Sequence, residues 1–554
     1  MIYQVYVRSF ADGNGDGTGD LAGVRQRLGY LRDLGVDAIW FTPWYVSPLA
    51  DGGYDVADYR AIDPQFGTLA EAEQLIAEAR ALGIRTIVDV VPNHVSSEHE
   101  WFRAALAAGP GSPERERFWF HPGRGEDGSQ VPTHWVSEFQ GGTWTRTTNP
   151  DGTPGEWYLH VFAPEQPDLN WDHPDVRREH EDILRFWFDR GAAGIRIDSA
   201  AQLVKDPALP EVPDHPGPGE HPHVDRDELH DIYRGWRAVA DAYDEPRVLV
   251  GEVWLADRER FARYLRPDEM HTAFNFDFMA RPWDAKALRE SVQTTLDAHA
   301  PVAAPATWVL SNHDVTRPVT RYGREDSSFA FATKRFGTPT DLATGRRRAR
   351  AAALLSAALP GSLYLYQGDE LGLPEVEDLP PDAIQDPMHA RSGGVDPGRD
   401  GCRVPLPWTR GGTSHGFGPD GGAQPWLPQP HGWGELSVEA QTGDETSVLT
   451  LYRRVLATRR AEPALRAGGF RWLDSLGGVV LGDDVLAFAR EAPGDGDGDG
   501  RAVACVVNLG PDDVPLPADA EVLLRSDAPG SAPRASDAPG AARLPTDTAV
   551  WLRA

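Results

Sequence analysis

The chain has 554 residues, with 54 basic and 84 acidic side chains and a formal net charge of −30. This length predicts two or three domains, and the negative charge disfavours nucleic acids and anionic membrane surfaces as partners. The two cysteines, Cys402 and Cys505, argue against a disulfide framework and against cysteine-rich zinc sites. The first eight residues lack the apolar stretch of a secretory signal, and no run approaches the roughly 18 apolar residues of a membrane helix. We therefore expect a soluble cytoplasmic protein, either a monomer or a small homo-oligomer.

Eight short runs rich in β-branched and aromatic residues alternate with amphipathic helical patterns along most of the chain. The predicted strands are 2–10, 38–44, 86–91, 194–198, 248–254, 272–278, 307–310 and 362–366. Helical spacing is clearest in 21–34, 69–82, 176–188 and 346–359. Eight repeated βα units predict an α/β fold, a (β/α)8 TIM barrel, in preference to an open doubly wound sheet.

Two stretches depart from this alternation. Residues 95–171 are rich in Trp, Pro, Gly and Thr without a helical period, which predicts an irregular domain inserted after strand three. Residues 467–554 contain short strands and turns, which predicts a C-terminal antiparallel β-sandwich. The barrel is then assigned to 1–94 and 172–466, with a long insertion at 375–435 after strand eight. The Gly-Asp repeat at 494–500 is interpreted as a solvated hairpin loop.

Acidic residues occur where four of the predicted strands end. Asp89 lies near the end of strand three, Asp198 ends strand four, Glu252 lies at the end of strand five, and Asp314 follows strand seven. The C-terminal ends of barrel strands form the mouth at which reacting groups project. A single acid after a strand is usually a helix cap. Four carboxyls at one mouth are electrostatically costly, and that cost makes sense where one must stay protonated and another ionised.

These segments resemble the α-amylase family, glycoside hydrolase family 13, in motif and in order. The matching segments are Gln4 to Tyr6, Asp89 to His94, Gln166 to Asn170, Gly194 to Asp198, Gly251 to Glu252 and Asn312 to Asp314. Within that family, residues 53–59, 366–372 and 398–405 resemble α-glucosidases. The resemblance implies a retaining, exo-acting α-glucosidase that removes terminal α-1,4-linked glucose from maltose and short oligosaccharides.

Matched position by position, the resemblance makes Asp198 the nucleophile, Glu252 the general acid/base and Asp314 the stabiliser of the transition state. An oxocarbenium-like centre needs a carboxylate that traps it as a covalent glucosyl-enzyme, and the leaving oxygen needs a proton. Arg196, two residues before Asp198 on the same strand face, would keep that carboxylate ionised. The remaining expected sugar contacts near the reacting carbon are Tyr54, His94, Phe162, Ser199 and His313.

Two features of the expected pocket concern specificity. We predict an ion pair between Asp55 and Arg399 that closes the pocket and recognises the free 4-hydroxyl of a terminal glucose, since the loops after strands two and eight approach each other in a closed barrel. Ser199 follows the nucleophile, and the resemblance associates a small or hydroxyl-bearing residue there with α-1,4 linkages and Val with α-1,6 linkages.

A second constellation lies in a Gly-rich loop near the N-terminus. Oxygen side chains at alternate positions of such a loop suit a hard cation, Ca²⁺ or Mg²⁺. The loop is not an EF-hand, because Gly23 occupies the position of the bidentate Glu. Related α-glucosidases bind a metal at such a loop, so a structural metal is predicted here, with a plain turn-rich loop as the alternative. The candidate ligands are Asp12, Asn14, Asp16, Thr18 and Asp20.

Two alternative functions use the same scaffold. A glucosyl transferase or isomerase, of the trehalose synthase or sucrose isomerase type, shares the covalent step and differs in what intercepts the intermediate. The sequence does not separate this alternative from a hydrolase. A non-catalytic transporter subunit is disfavoured, because Asp198, Glu252 and Asp314 are all present.

Overall fold

A computed structural model describes residues 1–149, 151–217, 219–331, 333–492, 502–518, 520–527 and 543–553. Its centre is a nearly closed barrel of eight parallel strands, in the order β6-β5-β4-β3-β2-β1-β8-β7. These strands are β1 (Ile2–Val5), β2 (Ala38–Phe41), β3 (Arg85–Val90), β4 (Gly194–Ile197), β5 (Val248–Gly251), β6 (Thr272–Ala273), β7 (Thr307–Val309) and β8 (Ser362–Tyr366). Between β6 and β7 the hydroxyls of Thr272 and Thr307 are 2.5 Å apart. The predicted TIM-barrel class is confirmed.

Helices follow the strands and cover the outside of the barrel. The helix Leu69–Ala81 begins with a capping box between Thr68 and Glu71, which satisfies N–H groups that the first turn leaves free. Gly35, with φ +97°, ends the helix before β2 as a left-handed cap. Outside the inserted segment, the helices before β6 are Val7–Phe10, Leu21–Gln26, Leu28–Leu34, Leu69–Ala81, Pro174–Asp189, Leu229–Asp241 and Arg258–Arg263. Those after β6 are Phe276–Ala280, Ala285–His299, Pro318–Tyr322, Leu342–Ala358, Pro387–Arg391, Val438–Gln441, Val448–Ala461 and Pro463–Ala467.

The largest departures from the predicted strands are at β1 and β6, where a helix replaces the second half of the predicted strand. β1 ends at Val5 and the chain turns into the helix Val7–Phe10, while β6 ends at Ala273 and is followed by a helix. Asn275 caps that second helix by accepting from the backbone N–H of Phe278. Phe10 and Phe278 are buried in these helices. A short apolar run serves a buried strand and a buried helical turn equally well, so periodicity does not mark where the strand ends.

The segment inserted after β3 forms one wall above the barrel mouth. It contains the helix Glu100–Ala108, which the sequence pattern did not predict, and a three-stranded sheet. A buried ion pair of 2.7 Å between Asp168 and Lys205 joins the end of the segment to the loop after β4. In spatial order, the sheet strands are Phe120–His121, Pro154–Leu159 and Trp144–Thr148.

Antiparallel sheets follow the barrel at the C-terminal end. The indole N–H of Trp551 donates to the carbonyl of Leu354 at 3.2 Å, which packs these sheets on the helix Leu342–Ala358. The main sheet has five strands, in the order Gly469–Trp472, Val485–Glu491, Ala502–Asn508, Thr548–Arg553 and Glu521–Arg525. Two-stranded sheets pair Ser475–Leu476 with Val479–Val480, and Val514–Pro515 with Arg543–Leu544; a third, after β2, pairs Tyr45–Val46 with Asp58–Ile62. The predicted hairpin loop at 494–500 lies outside the described residues.

No helix in the described ranges is both long and apolar enough to cross a membrane. Cys402 and Cys505 are buried free thiols.

Candidate active site

One buried guanidinium organises the carboxyls at the C-terminal ends of β3, β4 and β5. Arg196 lies opposite Asp89 in the register of β4 and β3, and only 1% of its surface is exposed. One of its terminal nitrogens donates to Asp198 at 2.6 Å and to Asp89 at 3.1 Å, and the other donates to Glu252 at 2.6 Å. Asp198 and Glu252 thus bind neighbouring nitrogens of one guanidinium.

The three carboxyls around Arg196 resist ionisation. Burial raises the pKa of Asp198 to about 6; the Arg196 charge opposes the rise and Asp89 adds to it. Burial raises the pKa of Glu252 to about 7. The positive charge of Arg196 opposes this rise, and the negative charges of Asp198 and Asp314 add to it. Burial likewise raises the pKa of Asp89 to about 7. One positive charge is thus too little for three buried carboxylates near neutral pH.

Asp314 has the opposite electrostatic environment. Arg399 donates to one of its oxygens at 3.1 Å and Arg403 donates to the same oxygen at 2.8 Å. Burial works against its ionisation, but the charges of His313, Arg399 and Arg403 hold the pKa of Asp314 well below its usual range. This carboxyl is therefore an anion near neutral pH.

Asp198, Glu252 and Asp314 line a cavity of about 350 Å³ that opens to solvent between the barrel and the inserted segment. A cavity of this size suits a small ligand. Its walls combine the acids with aromatic rings, which suit the C–H faces of a sugar. The acidic side chains are Asp51, Glu138, Asp198, Glu252 and Asp314, and the aromatic ones are Tyr54, Phe139, Phe162, Trp254, His94, His313 and Phe331.

The structure brings the predicted sugar contacts together around the cavity. The rings of Tyr54 and His313 stack with centroids 5.2 Å apart, and the rings of His94 and Phe162 lie 5.0 Å apart. Burial lowers the pKa of His94 to about 4, so its ring is neutral and has one donor and one acceptor nitrogen. Its Nε2 lies 3.1 Å from the carbonyl oxygen of Tyr54, which fixes the ring at the cavity wall. Four of the predicted contacts therefore face one space.

The predicted ion pair between Asp55 and Arg399 is wrong. Arg399 instead donates to Asp51 at 2.6 Å and to Asp386 at 2.5 Å. Asp55 is fully buried and accepts the backbone N–H groups of Ala50 and Asp51, so it holds the loop's shape. The partner is Asp51 because this loop turns at Gly52 and Gly53, both with positive φ, and presents the earlier carboxylate to the cavity.

Ser199 hydrogen-bonds to the carboxyls of both Asp198 and Glu252. Its φ is +44°, in the left-handed region that L-residues rarely adopt. In this conformation its backbone N–H donates to Glu252 at 3.1 Å and its hydroxyl donates to Asp198 at 2.9 Å. Backbone strain of this kind often occurs at functional sites.

Several residues at the cavity were not identified from the sequence. Asp51 is one, although it lies in the same Asp-Gly-Gly-Tyr-Asp segment as Asp55. Glu138 and Gln202 are two more, and their side chains hydrogen-bond at 2.6 Å across the gap between the inserted segment and the loop after β4. Asp51 had a sequence signal, an acid in the loop after strand two. Glu138 had none, because its position depends on how the insertion folds.

The Gly-rich loop of residues 12–20 folds around its own carboxylates. Asp12 and Asp20 are buried, and each accepts backbone N–H groups of the loop, including those of Asn14 and Gly17 for Asp12. Burial raises the pKa of Asp20, and the charge of Asp12 adds to the rise. A cation would relieve this repulsion, and the oxygen donors suit a hard ion. In the described part of the chain, however, no three His, Cys, Asp or Glu side chains lie close enough together to hold a metal.

Comparison with known proteins supplies the family. Residues 4–468 match the model of the alpha-amylase catalytic domain, and residues 474–551 match a domain of unknown function (DUF3459). The trehalose-6-phosphate hydrolase of Escherichia coli is 35% identical over 508 residues, which cover 85% of this chain and 85% of that protein. An α-glucosidase of Saccharomyces cerevisiae is 32% identical over an alignment that covers 88% of this chain and 87% of that protein. Oligo-1,6-glucosidases are further relatives.

Solved structures agree with the sequence matches. The trehalulose synthase MutB from Pseudomonas mesoacidophila superimposes with a TM-score of 0.81 at 30% identity, over all of this chain and 98% of that one. The chain thus belongs to the α-amylase family, glycoside hydrolase family 13, and is a glycoside hydrolase related to the α-glucosidases of that family.

Proposed function

We propose that this enzyme is a retaining, exo-acting α-glucosidase that hydrolyses terminal α-1,4-linked glucose from short, uncharged oligosaccharides. The observation that carries the proposal is the sharing of Arg196 by Asp198 and Glu252. Inverting glycosidases hold their two carboxyls about 6.5–9.5 Å apart to admit a water, whereas retaining enzymes hold them closer. The shared guanidinium supports the closer arrangement.

In the proposed mechanism, Asp198 attacks the anomeric carbon and Glu252 donates its proton to the leaving oxygen. The resulting glucosyl-enzyme is then attacked by water, from which Glu252 removes a proton. Asp314, held ionised by two guanidiniums, stabilises the positive charge that develops on the ring. Asp51 and Arg399 close the end of the cavity and bind the 4-hydroxyl of the terminal glucose.

A sucrose-isomerase activity is the second candidate, favoured by the likeness to trehalulose synthase. It requires the glucosyl-enzyme to be intercepted by the released sugar before water arrives. The cavity opens to solvent, which favours hydrolysis.

We also propose that the loop of residues 12–20 binds one structural Ca²⁺ or Mg²⁺ through the side-chain oxygens of Asp12, Asn14, Asp16, Thr18 and Asp20. The mutual repulsion of buried Asp12 and Asp20 supports this assignment. Such an ion would stabilise the loop and take no part in the reaction.

The substrate assignment predicts faster hydrolysis of maltose than of isomaltose, with α-glucose as the first product seen by NMR. Sucrose should yield glucose and fructose. Asp198→Ala should abolish turnover, because no intermediate can form. The proposal fails if β-glucose appears first, or if an isomerised disaccharide is the main product from sucrose.

The pKa values of the two carboxyls predict a bell-shaped dependence of kcat/KM on pH, with its maximum between about 6 and 7. Activity falls below about 6 because Asp198 must be ionised, and it falls above about 7 because Glu252 must hold its proton. These are apparent values of an interacting pair. In Glu252→Gln, assayed with an aryl α-glucoside whose leaving group needs no proton, the alkaline limb should vanish and the acidic limb should remain. An unchanged alkaline limb would show that another group titrates.

Asp51 and Asp55 should respond differently to the same substitution. Asp51→Asn replaces the charged carboxylate that accepts a hydrogen bond from the sugar. It should cost about 2–3 kcal/mol of transition-state binding, which is a loss of roughly 30- to 150-fold in kcat/KM on maltose. Its melting temperature should change little. Asp55→Asn should lower the melting temperature, because the loop amides lose their acceptor, and should affect kcat/KM less. Equal losses of activity in the two variants would contradict the assignment of Asp51 to substrate binding.

Removal of metal with EDTA should lower the melting temperature by a few degrees, because an ion that binds only the folded state stabilises it by mass action. Added Ca²⁺ or Mg²⁺ should restore it. Asp16→Ala is the control, since its melting temperature should no longer respond to EDTA. A wild-type protein that melts at the same temperature with and without EDTA has no metal in this loop.

A further inference from the structure

Two side chains meet at the rim of the cavity, beside the turn after Asp198 in which the backbone N–H of Ser199 donates to Glu252. Glu138, from the inserted segment, is exposed yet lines the cavity. The amide of Gln202 donates to its carboxylate at 2.6 Å. In the proposed mechanism Glu252 protonates the leaving oxygen, so the leaving group lies beside this turn. The pair therefore lies where the leaving group passes.

Both members of the pair are fixed relative to the reacting groups. The backbone N–H of Gln202 donates to the carbonyl of Ser199 at 3.0 Å, in the turn that follows Asp198. The carbonyl of Gln202 accepts from buried Lys205 at 2.7 Å. On the other side, the backbone N–H of Glu138 donates to the carbonyl of Val161 at 2.9 Å. The carboxylate is thus held in place by both walls of the cavity.

The described lining of the cavity carries more negative than positive side chains. Among the cavity-lining residues that the structure describes, five are Asp or Glu and Arg399 is the single guanidinium or ammonium group. Arg399 is 8% exposed and is already bound to Asp51, Asp314 and Asp386. Its Nε and both of its terminal nitrogens already donate to carboxylates.

A second guanidinium near this rim is also occupied. Arg391 donates to the carbonyls of Phe139, Gln140 and Gly142, and so ties the inserted segment to the region after β8. Recognition of a phosphate requires free Arg or Lys donors or free backbone N–H groups. The described rim presents a carboxylate and an amide carbonyl instead, which accept hydrogen bonds from sugar hydroxyls.

We propose that Glu138, positioned by Gln202, determines leaving-group specificity by accepting hydroxyl hydrogen bonds from neutral sugars and repelling phosphorylated ones. This inference rests on the proposed function, since it places the leaving group at this rim. If Glu138 has this role, the substrates of this enzyme differ in charge from the phosphorylated sugar for which the trehalose-6-phosphate hydrolase is named.

The test compares trehalose and trehalose 6-phosphate as competing ligands against maltose hydrolysis at low ionic strength. The wild-type inhibition constant for the phosphorylated sugar should be at least tenfold higher than that for trehalose. The difference should shrink between 20 and 300 mM NaCl, because salt screens the repulsion. The readout is the ratio of the two constants, so a general loss of activity in a variant does not affect it.

Two variants alter the charge at the rim in different places. Glu138→Gln removes the negative charge and Gln202→Lys adds a positive one, and each should reduce the ratio at least fivefold. Glu126→Gln is the matched control, because Glu126 is an exposed acid of the same inserted segment that does not line the cavity; its ratio should equal that of the wild type. Equal binding of the two sugars by the wild type, or an unchanged ratio in both variants, overturns the inference.

Failure of the proposed function gives a different result. If the wild type does not hydrolyse maltose, the hydrolase assignment is lost. The two sugars are then compared by calorimetry with the wild-type protein and both variants, where the same ratios decide the role of Glu138. If the phosphorylated sugar alone is bound and hydrolysed, both proposals fail.

Discussion

The active site depends on the buried guanidinium of Arg196. It bridges carboxyls from three adjacent strands, β3, β4 and β5, whose order and register in the barrel bring them within reach of one side chain. Burying an ion is tolerable only when its charge and donors are well paired, and Arg196 meets this condition with Asp89, Asp198 and Glu252. The strand register thereby sets the distance between the proposed nucleophile and the proposed acid.

The ratio of cations to carboxyls differs across the cavity, and this difference supports the proposed roles. Around Arg196, burial raises the pKa values of three carboxyls toward neutrality, and the charge of this one guanidinium only partly opposes the rise. Around Asp314 two guanidiniums, Arg399 and Arg403, converge on one oxygen. A group that exchanges protons during turnover needs a pKa near the working pH, whereas a group that only stabilises charge should never take up a proton. The chain builds both environments from the same residue types.

The sequence was sufficient to predict the barrel and the four acids at its mouth, because strand alternation and position at a strand end are local properties. It did not distinguish Asp51 from Asp55. Both lie in one loop, and the carboxylate that faces the cavity is decided by the left-handed turns at Gly52 and Gly53. Nor did it identify Glu138, whose approach to Gln202 joins an irregular insertion to the barrel. Contacts between distant segments carry no signal in local periodicity.

The position after the proposed nucleophile illustrates a related limit. In the sequence analysis, the resemblance links the preference for α-1,4 or α-1,6 bonds to the type of side chain at position 199, small or hydroxyl-bearing as against Val. In the structure, Ser199 donates to both Asp198 and Glu252 and has a left-handed backbone that a β-branched side chain adopts only at a further cost. A larger residue there would change the hydrogen bonds of Asp198 and the strain in the turn together with the space beside the sugar. Linkage preference and catalytic geometry are therefore coupled at this residue, and a volume argument alone does not separate them.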